Sequence, residues 1–169
     1  IYNKDMIIFL KNKHTLKVDE FNFQCSIGKN GITTEKIEGD KKTPAGIFKI
    51  DHLYYRKDRI HLPKVGLKCI KITEKMGWCD DQNYPKKYNQ LITVNDKIGF
   101  EKLFRKDNKY DLLIPIKFNY KKRIPGKGSC IFIHLTKDYQ PTAGCVALMK
   151  KDFLIMLKLI NKNTKIKII

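Results

Sequence analysis

The chain has 169 residues, of which 42% are hydrophobic, so its length and composition suit one folded domain over residues 1–169 and exclude wholesale disorder. Its net charge is +18, yet only four of its 35 basic residues are arginines and the lysines are scattered without an arginine-rich or aromatic nucleic-acid motif. We therefore expect a solvated basic surface, with attraction to an acidic polymer such as cell wall or nucleic acid as the alternative. No nucleic-acid motif supports a nucleic-acid partner, which is not expected, and no apolar run is long enough for a transmembrane segment.

Most apolar segments have the length of strands and end at Gly, Pro, Asn or Asp. The predicted strands are residues 6–10, 22–27, 46–54, 68–73, 112–118, 131–135 and 165–169. Two segments have helical signals, a weak one at 97–103 and a clear one at 150–160. In the clear one, Phe153, Met156, Leu157 and Ile160 recur at three- and four-residue intervals, which indicates a core-facing stripe. These patterns predict a mostly β domain with one or two short helices.

A histidine and a cysteine flank the loop after the strand 131–135. His134 stands near the end of that strand, and the turn 142–144 leads to Cys145 just before a new apolar segment. Cys130 shares a strand face with His134 but lies about 13 Å from it at the usual rise per residue, too far to be its partner. Cys145 can return to His134 across the loop.

This pairing suits nucleophilic catalysis, because the thiolate attacks a carbonyl and an imidazole can remove the thiol proton. Gly144 allows a positive φ, so the N–H groups of Ala143, Gly144 and Cys145 can point together at a developing oxyanion. The alternative is a half-buried structural His134 beside an inert Cys145, which is the commoner case for an arbitrary pair.

The residues that follow His134 make the sequence recognisable. His134, a loop and Thr142-Ala143-Gly144-Cys145 resemble the signature of the L,D-transpeptidase family with the YkuD-type catalytic domain. The segment 38–48 is similar to the family's Gly-Asp-x-x-Thr-Pro-x-Gly-x-Phe element, and 28–31, 88–89, 110–119 and 125–129 resemble features of one branch. This chain has alanine at positions 143 and 147, where the commonest signature has histidine and Asn or Arg.

The resemblance implies a single-domain YkuD-type β-sandwich and a role in peptidoglycan synthesis and cell shape. It implies that Cys145 attacks the L-centre carbonyl of a tetrapeptide stem, releases D-alanine and forms a thioester. His134 would act as general base and acid, the main-chain oxygen of Leu135 would orient its ring, and Ala143 and Gly144 would form the oxyanion hole. An amine of a second stem, or water, would resolve the thioester.

The expected partners are peptidoglycan stem peptides and carbapenem-type inhibitors, with no cofactor. No metal site is expected, because the four histidines are not spaced as ligands beside the cysteines. The chain begins with Ile1, so we expect a missing targeting segment and a protein of the cell envelope or periplasm. The oligomeric state and any pairing of Cys25, Cys69, Cys79 and Cys130 stay open.

Two other functions compete with this interpretation. A cysteine peptidase or amidase shares the dyad but not the Gly-Asp-x-x-Thr-Pro element, and an inactive basic module would bind cell wall or nucleic acid. Four further residues could line a donor groove, although packing and turns are their commoner roles: Tyr88, Asn89, Lys127 and Tyr139. Asp138 is interpreted as a solubilising loop residue and not as a third catalytic member.

Overall fold

Short strands make up most of the structure, a computed structural model that describes residues 5–169. In chain order they are β1 (Ile7–Lys11), β2 (Thr15–Val18), β3 (Phe21–Gln24), β4 (Ile32–Thr33), β5 (Thr43–Pro44), β6 (Gly46–Lys49), β7 (Leu53–Tyr55), β8 (Cys69–Lys71), β9 (Met76–Cys79), β10 (Leu91–Thr93), β11 (Phe100–Lys102), β12 (Leu112–Pro115), β13 (Phe132–Thr136), β14 (Val146–Met149) and β15 (Lys165–Ile168). The helix α1 (Lys150–Leu159) follows β14 directly.

Two five-stranded sheets, one small three-stranded sheet and the two-stranded pair β4-β5 organise these strands. The first sheet has the order β3-β2-β1-β15-β6, the second β14-β13-β12-β7-β8, and the small sheet β10-β9-β11. The C-terminal β15 lies parallel to β1 and antiparallel to β6, so it joins the two ends of the chain within one sheet. Strands β13 and β14 are also parallel, which places the residues on either side of the 137–145 loop next to each other.

Two hydrophobic cores cover the two faces of the second sheet. The main core joins it to the first sheet and to α1, with Ile133, Ile8 and Phe153 among its members. The second core joins it to the small sheet through Phe132, Leu113 and Trp78. Because β13 contributes to both cores, all its residues from Phe132 to Leu135 are buried and its side-chain directions are fixed.

The expected mostly β sandwich is confirmed, and each of the seven predicted strands coincides with at least part of an observed strand. The predicted strand 46–54 is two strands, because the chain leaves the first sheet after β6 and enters the second sheet as β7. The stripe on α1 is confirmed: Phe153, Met156, Leu157 and the adjoining Ile160 are buried.

The predicted helix at 97–103 is wrong. A turn precedes Gly99, and residues 100–102 form β11, which pairs antiparallel with β9. Gly77 in β9 explains why this pairing is favourable: a Cβ atom there would lie 2.6 Å from the ring of Phe100, so only glycine leaves room for that ring. Between residues 5 and 169 there is no helix long and apolar enough to cross a membrane.

Candidate active site

The pairing of β13 with β14 brings His134 and Cys145 to one face of the second sheet. His134 lies opposite Ala147, and Ile133 lies opposite Val146. Cys145 therefore comes opposite Phe132, whose N–H donates to Cys145 Sγ at 3.4 Å. Cys145 and His134 lie on adjacent strands and are offset by two residues along the strand direction. Their Cα atoms are therefore about 8 Å apart, within reach of the two side chains.

Two contacts fix the orientation of the ring of His134. Its Nδ1 lies 2.8 Å from the main-chain oxygen of Leu135, and since a carbonyl only accepts, Nδ1 carries the hydrogen. The ring of Tyr110 packs edge-on at a centroid distance of 5.4 Å. The imidazole is 3% exposed, and its Nε2 is left as the proton acceptor.

Cys145 is a buried thiol, only 8% exposed, within the second core. Its Sγ donates to the main-chain oxygen of Cys130 at 3.1 Å and accepts from Phe132. Among the hydrogen bonds formed by residues 5–169, none joins Cys145 Sγ to the ring of His134. In this state the thiol proton is directed at Cys130.

Burial keeps both groups neutral. Desolvation raises the pKa of the Cys145 thiol to about 12, despite the hydrogen bond from Phe132 that lowers it. Desolvation likewise lowers the pKa of His134 to about 4, despite the opposing effect of the Leu135 contact. At neutral pH the site thus holds a thiol and a neutral imidazole, and not a thiolate–imidazolium pair.

The turn before Cys145 is tightly built. Gly144 has a φ of 141°, which disfavours any residue with a side chain. Its N–H donates to Thr142 Oγ1 at 3.1 Å, and that hydroxyl donates to the oxygen of Cys145 at 2.6 Å. The N–H groups of Ala143 and Cys145 have no acceptor within the described part of the chain. Both N–H groups are thus unengaged, whereas that of Gly144 donates to Thr142.

A cavity of about 590 Å³ opens onto His134. His134, Leu135, Thr142 and Ala147 belong to its lining, whereas the buried Cys145 does not. Three exposed lysines belong to the same lining: Lys109, Lys137 and Lys150. A ligand in this cavity would therefore lie beside His134 and meet positive charge.

The four groove candidates lie elsewhere. Tyr88 is fully buried and donates to Glu38 at 2.6 Å, while buried Asn89 accepts from the indole of Trp78 at 2.9 Å. Tyr139 lines a different cavity, next to Cys25, and Lys127 is exposed. These positions match the packing and turn roles that we judged commoner.

Sequence reasoning missed several groups around the dyad. Tyr110 packs on His134, and its hydroxyl donates to Glu101 at 2.9 Å. Tyr110 opens the segment 110–119 that resembles a branch feature, but no sequence pattern gave it a role beside His134, and none marked Glu101. Asp138, in contrast, accepts from the N–H of Gln140 at 3.3 Å and forms no hydrogen bond with His134 in the described structure, in agreement with a loop role. All five cysteines are free thiols.

Comparison with known proteins identifies the family. A model of the YkuD family, described as the L,D-transpeptidase catalytic domain, matches residues 3–168, and the chain belongs to this family. No curated protein matches the chain.

Solved structures resemble the chain at low sequence identity. Pgp2 of Campylobacter jejuni, a helical cell shape determining protein, superposes with a TM-score of 0.52 at 18% identity, covering 98% of this chain and 48% of Pgp2. Bd1075 of Bdellovibrio bacteriovorus gives a TM-score of 0.49 at 14% identity, covering 98% of this chain and 47% of Bd1075. The chain thus spans about half the length of these proteins, and the likeness to Pgp2 shows the fold alone.

Proposed function

We propose that this chain is a cysteine acyltransferase of the L,D-transpeptidase type that acts on peptidoglycan stem peptides. The observation that carries the proposal is the placement of Cys145 and His134 on one face of two adjacent parallel strands, next to a cavity that His134 helps to line. Membership in the YkuD family supports the reaction class. Because the substrate is part of the cell wall, the protein would work in the cell envelope.

In the first half-reaction, Nε2 of His134 takes the proton of the Cys145 thiol as Sγ attacks the L-centre carbonyl of the stem. The tetrahedral intermediate collapses with cleavage of the bond to D-alanine. His134 returns the proton to the leaving amine, and a thioester remains on Cys145. In the second half-reaction an amine of another stem, or water, attacks the thioester while His134 takes its proton and then restores the thiol.

The neutral state of both groups defines how this proton moves. A thiol with a pKa of about 12 provides almost no thiolate at pH 7, so proton transfer to His134 has to accompany the attack. The thiol proton, now directed at Cys130, has to turn toward Nε2 of His134 for this step.

The charges around the cavity suit a substrate with free carboxylates. Three lysines in its lining form no ion pair within residues 5–169: Lys109, Lys137 and Lys150. Of the three acidic residues of the lining, Asp107 is paired with Arg105 at 2.6 Å and Asp111 with Arg59 at 3.0 Å, while Asp138 forms no ion pair within residues 5–169. The lysines are therefore available to the carboxylates of a stem peptide.

Incubation with purified tetrapeptide muropeptides, followed by mass spectrometry, tests the proposal. Wild type should produce D-alanine together with cross-linked dimers, and Cys145→Ala should produce neither. Cys69→Ala is the matched control, because Cys69 is an exposed free thiol in β8. Tripeptides without dimers would make water the acceptor. If wild type does not react with muropeptides and Cys145 is not acylated, the chain is instead an inactive binding module.

A further inference from the structure

We propose that Thr43 is a positioning residue that fixes the main-chain N–H of Cys145 as an oxyanion donor, an inference that rests on the proposed acyl transfer. Thr43 belongs to the Thr-Pro element of the segment 38–48, which is far from Cys145 in the sequence. The reaction as derived above uses no residue of that element.

Thr43 bridges two main-chain groups that come from different parts of the chain. Its side chain is fully buried, and Oγ1 accepts from the N–H of Gly28 at 2.9 Å. The same hydroxyl donates to the main-chain oxygen of Gly144 at 2.9 Å. A hydroxyl has one hydrogen to donate, so the bond from Gly28 commits that hydrogen to Gly144.

Close backbone contacts hold Thr43 in this position. A Cβ atom at residue 28 would lie 2.6 Å from the oxygen of Lys41, and one at residue 144 would lie 2.9 Å from the oxygen of Lys42. The segment that carries Thr43 therefore packs closely between residues 28 and 144, and only glycine fits at these two positions. Its hydroxyl cannot be displaced without moving the nucleophile turn.

The bond to Gly144 acts on Cys145 through the geometry of the peptide unit. The oxygen of Gly144 and the N–H of Cys145 belong to one planar trans peptide and point in opposite directions. Glycine leaves the rotation of this unit unusually free, so an external contact has to fix it. Thr43 holds the oxygen of Gly144. The N–H of Cys145 therefore points away from Thr43, and its direction is fixed.

The N–H of Cys145 is suited to this role because it is unengaged. It has no acceptor within residues 5–169, whereas the N–H of Gly144 donates to Thr142. An oriented N–H adjacent to the attacking sulfur is the donor that a tetrahedral intermediate requires. The role of Thr43 is thus to preorganise this donor before the carbonyl arrives.

Two reactions of Cys145 separate this role from a structural one. Acylation by a carbapenem builds an oxyanion on a carbonyl, whereas alkylation by iodoacetamide takes place at a saturated carbon and builds none. Both are followed at Cys145 by peptide mass spectrometry, in wild type and in two variants of Thr43. Thr43→Val keeps the shape and removes the hydroxyl, while Thr43→Ser keeps the hydroxyl.

We expect Thr43→Val to slow acylation by at least about tenfold, since loss of an oxyanion donor costs about 10² to 10³ in rate and a misdirected donor retains part of that effect. Alkylation of Cys145 should stay within about twofold of wild type, and Thr43→Ser should restore acylation. If Thr43→Val does not fold, as judged by circular dichroism, Thr43→Ala replaces it with the same two rates.

Unchanged acylation in Thr43→Val overturns the inference, and so does a parallel loss of acylation and alkylation, which would show a merely structural role. Failure of Thr43→Ser to restore acylation overturns it as well. A wild-type protein that is alkylated at Cys145 but never acylated would overturn the proposed function itself. The same experiment thereby distinguishes the two failures.

Discussion

The thiol of Cys145 donates to the main-chain oxygen of Cys130 at 3.1 Å, and this contact defines the resting state of the site. It satisfies the only hydrogen that the thiol can donate, while the N–H of Phe132 occupies the sulfur as an acceptor. The thiol is thus held as a neutral, hydrogen-bonded group of the second core. The proposed mechanism requires the exchange of one contact, from Cys130 to His134.

Replacing His134 by glutamine should slow acylation of Cys145 by a carbapenem at least about a hundredfold at pH 7, because glutamine cannot accept the thiol proton. A free thiol would recover part of this rate above pH 8.5, but burial raises the pKa of Cys145 to about 12. Little recovery is therefore expected up to pH 10. Intact-mass measurements of acylation from pH 6 to pH 10 give the profile.

The matched control for this variant is His61→Gln, which changes an exposed histidine and should leave the acylation rate unchanged. If His134→Gln is as fast as wild type at pH 7, His134 is structural and the dyad does not exist. Recovery with a midpoint near pH 8.5 would keep the dyad but would show that the thiol is solvated during attack.

Cys145→Ser and Cys145→Ala should both lose turnover but differ in stability. Serine can keep the contacts with Phe132 and Cys130, so its free energy of unfolding should stay close to that of wild type. Alanine leaves the buried N–H of Phe132 without an acceptor, at a cost of about 1 to 3 kcal/mol. Urea unfolding measures both. Turnover in either variant that equals wild type would contradict the assignment of the nucleophile.

Much of the fold was predictable from local patterns. Strand-length apolar segments that end at Gly, Pro, Asn or Asp, together with the stripe on α1, indicated more than half of the elements. The helix prediction for residues 97–103 was wrong because β11 depends on Gly77 in another strand, and no local pattern contains that information. The same holds for β14, a short strand that is defined by its pairing with β13.

The candidate site was predictable in part. His134 and Cys145 could be paired because strand rise excluded Cys130 and a short loop returned Cys145 to the sheet. Cys145 follows the turn 142–144 in the sequence, and no local pattern shows that its side chain is buried in the second core. Burial, the Tyr110 ring and the Thr43 bridge depend on residues far away in the chain, so spacing alone could not reveal them.

The lysines of the cavity should affect stem-peptide binding more than acylation by a small inhibitor. Glutamine at Lys109, Lys137 and Lys150 together should raise the KM for a tetrapeptide stem about tenfold, because each lysine offers a charge-assisted contact to a carboxylate. The carbapenem acylation rate should change less. Steady-state kinetics with D-alanine release as the readout measures the first effect.

The control for the cavity lysines carries the same change of charge at exposed positions outside the cavity lining, namely Lys11, Lys97 and Lys122. This triple variant should bind stem peptides as wild type does. Its binding to intact cell wall should weaken with added salt, because exposed charges are screened over about 8 Å at physiological ionic strength. Equal KM values for the two triple variants would assign the effect to net charge and not to the cavity.

The buried stripe of α1 should account for a large share of its packing energy. Phe153→Ala should lower the free energy of unfolding by about 3 to 5 kcal/mol, because Phe153 is fully buried in the main core. Lys158→Ala, on the exposed side of the same helix, should change it by less than about 0.5 kcal/mol. Denaturant titration measures both, and similar losses would contradict the observed orientation of the helix.

Acid should destabilise the protein through His134. Burial lowers the pKa of this ring from 6.5 to about 4, so between these values the unfolded chain binds a proton that the native state excludes. Stability therefore falls as the pH drops from about 6.5 to 4, by up to about 3 kcal/mol from this residue. His134→Gln should remove that part of the slope, and His61→Gln should keep it. Thermal or urea unfolding from pH 4 to pH 7 measures the difference, and identical slopes in wild type and His134→Gln would show that the ring accepts a proton within the folded state.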